Sequence, residues 1–225
     1  MPQRRRPMRS SKARRSQQNK LAKVSKDVTM LKQQVERKSI DHNASWTTVS
    51  TIEAVQDING GIAQGSGDTE RIGNKITAKS MQVKYQCKIG DGVANDSYNQ
   101  LRAIVLKYVP NDPTVSIGLQ DILANYNPSS PEEIMVSPYK RDSPYQFTIL
   151  SDKVHNLYWG NDSGGTGGAP RIKSANLKFK LNDAAIRYDS SGLLKTKYAL
   201  IFVSDSGAVT HPEVCFHTRF YFTDK

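Results

Sequence analysis

The chain has 225 residues and carries 32 Lys and Arg against 21 Asp and Glu, a formal charge of +11. That length accommodates one domain of about 150–200 residues plus an extension, or two small domains. The longest apolar run, Tyr198–Val203, has six residues, against the ~20 that a membrane-spanning helix needs, so a transmembrane helix and a membrane partner are excluded from the reading.

The charge is sharply divided. Residues 1–38 hold thirteen cations (Arg4, Arg5, Arg6, Arg9, Lys12, Arg14, Arg15, Lys20, Lys23, Lys26, Lys32, Arg37 and Lys38) and two acids, Asp27 and Glu36, a balance of +11. Residues 39–225 hold nineteen groups of each sign and sum to zero. A neutral body with a cationic arm folds with one part and holds a polyanion with the other. No acid precedes Asp27, few apolar residues are available to bury, and Pro2 and Pro7 discourage a helix before about Met8. The span Met1–Lys26 is therefore expected to be disordered when free. Its basic groups, Arg4, Arg5, Arg6, Arg9, Lys12, Arg14, Arg15, Lys20, Lys23 and Lys26, suit phosphate oxygens, which they contact without reading base sequence. A nuclear-localisation signal or a solubility tag is the plainer reading of the same run, and both readings can hold together. The segment also lacks the 7–15-residue apolar stretch of a secretory signal, so the chain is expected in a reducing compartment, with Cys87 and Cys215 expected as free, buried thiols.

Leu21, Val24, Val28, Leu31 and Val35 follow at alternating spacings of three and four, the pattern of a coiled-coil seam over about two heptads. A helix over residues 19–38 is predicted, too short to be stable as a free coil and expected to form where several copies meet. The alternative is a single amphipathic helix packed on its own body. These features make residues 1–40 a basic arm and residues 41–225 the folded domain.

From Trp46 onward the dominant period is two. Met81–Ile89, Ala175–Leu181 and Val214–Phe222 alternate apolar and polar residues, as half-buried strands do, while Leu101–Val109 and Tyr198–Val203 are apolar on both faces and read as central strands. Weaker candidates are Trp46–Ile52, Arg71–Ala78, Gln146–Leu150 and Val154–Trp159, with one short helix at Ile117–Asn125. Turn-rich joints such as Gly90-Asp91-Gly92 and Pro110-Asn111-Asp112-Pro113 separate them, and Gly160–Gly168 reads as an exposed loop. Eight or nine antiparallel strands in this length predict an all-β chain, a two-sheet sandwich in the form of a single eight-stranded jelly roll.

Catalytic and metal signatures are poor. The four histidines lack a His-Glu-x-x-His spacing and there is no Cys-x-x-Cys. Gly65-Ser66-Gly67 meets Glu70 where a dinucleotide fingerprint needs its third glycine. Cys215 and His217 share a strand face, read as core packing among aromatic residues. An enzyme is not expected.

Specific segments then matter more than composition. Asn59–Gly65 followed by Ser66-Gly67-Asp68-Thr69-Glu70-Arg71-Ile72, then Lys75–Tyr85, Leu101–Val109, Asp121-Ile122-Leu123, Tyr126-Asn127-Pro128 and Lys140–Asp152 with Phe147-Thr148-Ile149-Leu150, resemble the satellite tobacco necrosis virus coat protein family in order and spacing. Residues 59–152 carry the resemblance and the remainder matches loosely. Similar coats occur in small circular single-stranded DNA viruses, which leaves RNA and DNA genomes both open. The resemblance implies a single jelly-roll subunit, sixty of which form a T = 1 icosahedral shell with the basic arm inside and the arm helices gathered in threes. Its setting would be the virion, with assembly in host cytoplasm or nucleus. Sixty arms would bring roughly 660 positive charges against a single-stranded genome of order 1,000–2,000 nucleotides. It also implies calcium at a subunit interface, held by the main-chain carbonyls of Ser66 and Thr69 and the carboxylate of Asp224, hard oxygen donors suited to that ion. Two rivals remain beside it. A cellular jelly-roll module binding a sugar or receptor would stay monomeric or trimeric without its tail, and a histone-like protein would spread its cations over the folded surface.

Overall fold

The computed structural model describes residues 11–35, 37–90, 98–110, 112, 114–160, 169–207 and 211–224. The chain divides into two units between Arg37 and Lys38. The first is a single helix, α1 (Ser11–Val35). It begins well before the predicted residue 19, within the stretch expected to be disordered. The reason is propensity: Ser11–Val35 contains neither Gly nor Pro, and its first turns are rich in Lys, Arg and Gln, which sustain a helix with little apolar content.

The second unit holds the strands β1 (Arg37–Thr48, its first residue still in the arm unit), β2 (Ala54–Asp57), β3 (Lys75–Lys88), β4 (Tyr98–Val109), β5 (Gln146–Gly160), β6 (Ala169–Pro170), β7 (Lys173–Arg187), β8 (Lys197–Ser204) and β9 (Glu213–Asp224). Two short helices, α2 (Leu119–Ile122) and α3 (Pro131–Val136), lie between β4 and β5 in sequence. One sheet runs β1-β9-β3-β7 and the other β2-β8-β4-β5-β6. With the two-residue β6 set aside, the eight strands in chain order read 1-8-3-6 and 2-7-4-5. That order is the jelly roll, in which every successive pair of strands except 4 and 5 lies in opposite sheets.

Two apolar clusters hold these layers. The larger lies between the sheets, with Met81, Val83, Tyr85, Leu101, Val105, Leu200, Phe202, Phe220 and Phe222 among its buried members. The second lies behind β4 and β8, where Ile104, Leu106, Ile201 and Val203 meet Leu119 and Ile122 of α2 and Ile134 and Met135 of α3. Two-sided burial explains why β4 and β8 are apolar on both faces: every residue of β8 is buried. Each fully buried Leu, Ile or Phe contributes about 1.5–3 kcal/mol relative to exposure.

Several polar groups inside are paired, whereas Arg71 Nε, Thr77 Oγ1, Asn99 Nδ2 and the Tyr188 hydroxyl are buried without a hydrogen-bond partner among the described residues. Arg102 is 4% exposed and meets Asp152 with both carboxylate oxygens, at 3.0 and 2.7 Å, while donating to the carbonyls of Ile134 and Ser137. Burial alone would raise the Asp152 pKa; hydrogen bonds from Arg102 and Tyr139 and the Arg102 charge outweigh it and hold the carboxyl below its ordinary range. Lys197, also buried, lies 3.2 Å from Asp57.

β3 and β5 are each one strand where the sequence pattern suggested two. In β3 the register shifts between Ala78 and Ser80 against both neighbours, and in β5 Leu150 is the extra residue between the Val105 and Leu106 pairings. Each bulge flips the alternation to the opposite face. Opposite the first, Asn182 and Asp183 of β7 adopt φ of 49° and 58°, the left-handed region that these two residue types tolerate best. β1 starts at Arg37 and ends at Thr48, earlier at both ends than the predicted Trp46–Ile52. The helix predicted over Ile117–Asn125 is confined to Leu119–Ile122. The loop predicted at Gly160–Gly168 lies outside the described residues beyond Gly160.

Candidate nucleic-acid interface and candidate cation site

The first candidate site is the arm. α1 is about 37 Å long at 1.5 Å per residue. Lys20, Lys23 and Lys26 are exposed on it, and Lys12, Arg14 and Arg15 fall on its first turns. Leu21, Val24 and Val28 are 70%, 58% and 46% exposed, a large apolar outlay for a helix in water. Leu31 and Val35 continue the same spacing on its last turns. Arg4, Arg5, Arg6 and Arg9 lie outside the described residues.

The second candidate site is the segment that was matched to calcium. Residues 63–72 form a loop closed on itself: the Gly65 N–H donates to the Arg71 carbonyl at 3.0 Å, the Arg71 N–H to Ala63 at 2.8 Å and the Gly67 N–H to Glu70 Oε2 at 2.8 Å. The carboxylate end of the Glu70 side chain lies over Gly65, where a Cβ would make it shift. Arg71 is 3% exposed, lies 3.9 Å over the Tyr188 ring, and donates to Asn74 Oδ1 and to the Gly73 carbonyl.

Lys38 ties this loop to the end of β9. Its ammonium is 2.7 Å from Asp224 Oδ2 and donates to the Glu70 carbonyl at 2.9 Å. The other carboxylate oxygen of Asp224 accepts the Ile72 N–H at 3.0 Å, and the Ser39 N–H donates to the Asp68 carbonyl. Within one chain Asp224 is already neutralised by Lys38 and bonded through both oxygens, and an adjacent ammonium opposes calcium, which takes six to eight oxygens. The ion implied by the resemblance, on the Ser66 and Thr69 carbonyls and Asp224, would draw its donors from several copies of the chain.

Lys38, counted with the arm by sequence, is thus a body residue. Nothing in its local sequence marks it, because its carboxylate partner lies at the far end of the chain. Arg71 and Tyr188 were missed for the same reason. Both cysteines are free: Cys87 is buried, and that burial pushes its thiol up to about 12, whereas Cys215 is only half-buried. Cys215 and His217 are not core groups. Strand parity turns Val214, Thr218, Phe220 and Phe222 inward, leaving Cys215 beside Gln86 on the outer face and His217 exposed, 3.6 Å from Asp41.

No helix among the described residues is long and apolar enough to cross a membrane. No protein-family model matches the chain, and no curated protein matches it. Among solved structures, a chain of desmodium yellow mottle tymovirus is similar at 9% identity and a TM-score of 0.33, covering 84% of this chain and 86% of that one. A chain of broad bean stain virus is similar at 10% and 0.34, covering 83% and 86%. A chain of cocksfoot mottle virus follows at 10% and 0.32, covering 84% and 93%. The jelly-roll assignment stands on the strand order itself.

Proposed function

We propose that this chain is a viral coat subunit that assembles with copies of itself into a small closed shell around single-stranded nucleic acid. The observation that carries the reading is the separation of work between the two units. A jelly roll whose cations and carboxylates nearly balance is joined to a helical arm that holds ten of the eleven excess positive charges. With Lys38 committed to Asp224, residues 1–37 keep twelve cations and two acids. Sixty such arms would bring roughly 600 positive charges to a phosphate backbone, the remainder being left to small cations.

The finer reading, a T = 1 shell of sixty subunits like that of satellite tobacco necrosis virus, is supported by the resemblance across residues 59–152. It is also supported by the exposed Leu21, Val24 and Val28, which suit burial against the same helix of neighbouring copies. Negative-stain microscopy of purified full-length protein tests the reading. Closed, uniform particles support it, and isolated particles of subunit mass reject it. The cargo is bound through its backbone, so RNA and DNA satisfy the same chemistry.

A further inference from the structure

The neutral sum of the body conceals an uneven distribution. On the β1-β9-β3-β7 sheet, the residues facing away from the core alternate with buried ones: Lys84 and Gln86 on β3, Asn176, Lys178 and Lys180 on β7, and Cys215, His217 and Arg219 on β9. The pairing register sets these side by side. Gln82 lies between Lys178 and Arg219, Lys84 between Asn176 and His217, and Ser80 between Lys180 and Tyr221. Strands about 4.8 Å apart therefore place three lysines and an arginine on one continuous surface.

The carboxylates around that surface are each taken by a cation of their own. Asp41 pairs with Arg219 through both oxygens, Asp183 with Lys79 at 2.9 Å, Glu213 with Lys88 at 3.1 Å and Asp224 with Lys38 at 2.7 Å. Among the described residues Lys84, Lys178 and Lys180 have no carboxylate partner, and all three are exposed. Free carboxylates gather elsewhere: Glu132 and Glu133 lie on α3, which packs behind the opposite sheet. The interleaved Gln82, Gln86 and Asn176 supply neutral donors beside the ammonium groups. Such a surface is built for a phosphodiester backbone, which needs cations and hydrogen-bond donors and no base readout.

We infer that the outer face of the β1-β9-β3-β7 sheet, through Lys84, Lys178 and Lys180, is a second nucleic-acid contact that tracks the phosphodiester backbone. The inference rests on the proposed packaging role, deepens it, and assigns this sheet to the inner wall of the shell.

The test is the salt dependence of binding by the full-length chain to labelled thirty-nucleotide oligo-dT and oligo-U, measured by fluorescence anisotropy. A protein that neutralises single-strand phosphates loses about 0.7 in the slope of log K against log salt for each contact. The triple variant Lys84→Gln, Lys178→Gln, Lys180→Gln should lose about 2 in slope. A control of equal charge loss, Arg141→Gln, Lys153→Gln, Lys195→Gln, should retain the wild-type slope. An unchanged slope in the sheet variant, or an equal drop in both variants, overturns the assignment. Acetylation of the wild-type protein with and without oligonucleotide gives an independent readout: protection of Lys84, Lys178 and Lys180 supports the contact, and equal labelling rejects it. Oligo-dT and oligo-U should behave alike, and a slope loss confined to one would overturn backbone recognition. None of these readouts requires assembly, so shells absent from micrographs would reject the coat reading while leaving this contact to stand or fall by its own slope.

Discussion

The Lys38 ammonium lies 2.7 Å from Asp224 Oδ2 and joins the first residues of β1 to the last of β9 across the 63–72 loop. Both side chains are mostly buried, at 13% and 17% exposure. Removing one partner of such a pair leaves an uncompensated charge, so Lys38→Met should destabilise the protein by about 3 kcal/mol. Because the ammonium already satisfies Asp224, a chelator should leave the wild-type melting temperature unchanged. Calcium should partly restore Lys38→Met and should not restore Asp224→Asn. Differential scanning calorimetry with and without chelator checks all three, and a chelator-sensitive wild type would return calcium to this junction.

Arg102, which is buried, and Asp152, which reaches the surface, form the pair that anchors α3 and the residues after it to β4. Arg102→Met leaves the Asp152 carboxylate without its cation and two carbonyls without a donor, and should cost about 1–3 kcal/mol in urea unfolding. The double variant Arg102→Met/Asp152→Leu should recover part of that loss. A single variant within about 0.5 kcal/mol of wild type would contradict the role.

His155 stands 2.8 Å from the Tyr85 hydroxyl at the edge of the inter-sheet core. Burial, followed by the charges of Lys153 and Lys173, holds its pKa below the ordinary 6.5, and burial raises that of Tyr85, so both are neutral in the folded protein near pH 7. A histidine with a lowered folded pKa contributes stability that is complete above pH 6.5 and is lost as pH falls from there through the folded value. His155→Gln should therefore lose less stability than wild type between pH 7 and pH 5, read from urea midpoints. Parallel curves would contradict this.

Much of the fold was legible because the chemistry is local. The two-sided apolar runs of β4 and β8 and the alternation in β3, β7 and β9 follow from what each strand touches. The bulges at Lys79 and Leu150 were illegible as such, since a flipped parity looks like two strands with a gap. β1 was hard to place because its residues are only intermittently half-buried, and β2 has four residues. In the arm, the apolar seam made the helix legible from about residue 19, while low hydrophobicity concealed its first turns over residues 11–18. Lys38 was legible as charge but not as a body residue, and the cationic sheet face was hidden by a body charge of zero. Both depend on which distant strands become neighbours.

The exposed seam of α1 predicts association between arms. Leu21→Asp with Val28→Asp should reduce cross-linked trimers by several-fold while changing the unfolding free energy of the body by less than about 0.5 kcal/mol, as surface substitutions do. Equal trimer yield in the variant would contradict the seam.

The central claim, that the jelly roll builds the container and the arm fills it, is tested most directly by deleting residues 1–20 and measuring the 260/280 nm absorbance ratio of the gradient-purified particles. The account predicts closed shells of wild-type diameter with a ratio far below that of wild-type particles and close to that of protein alone. Shells carrying the wild-type load of nucleic acid would contradict it.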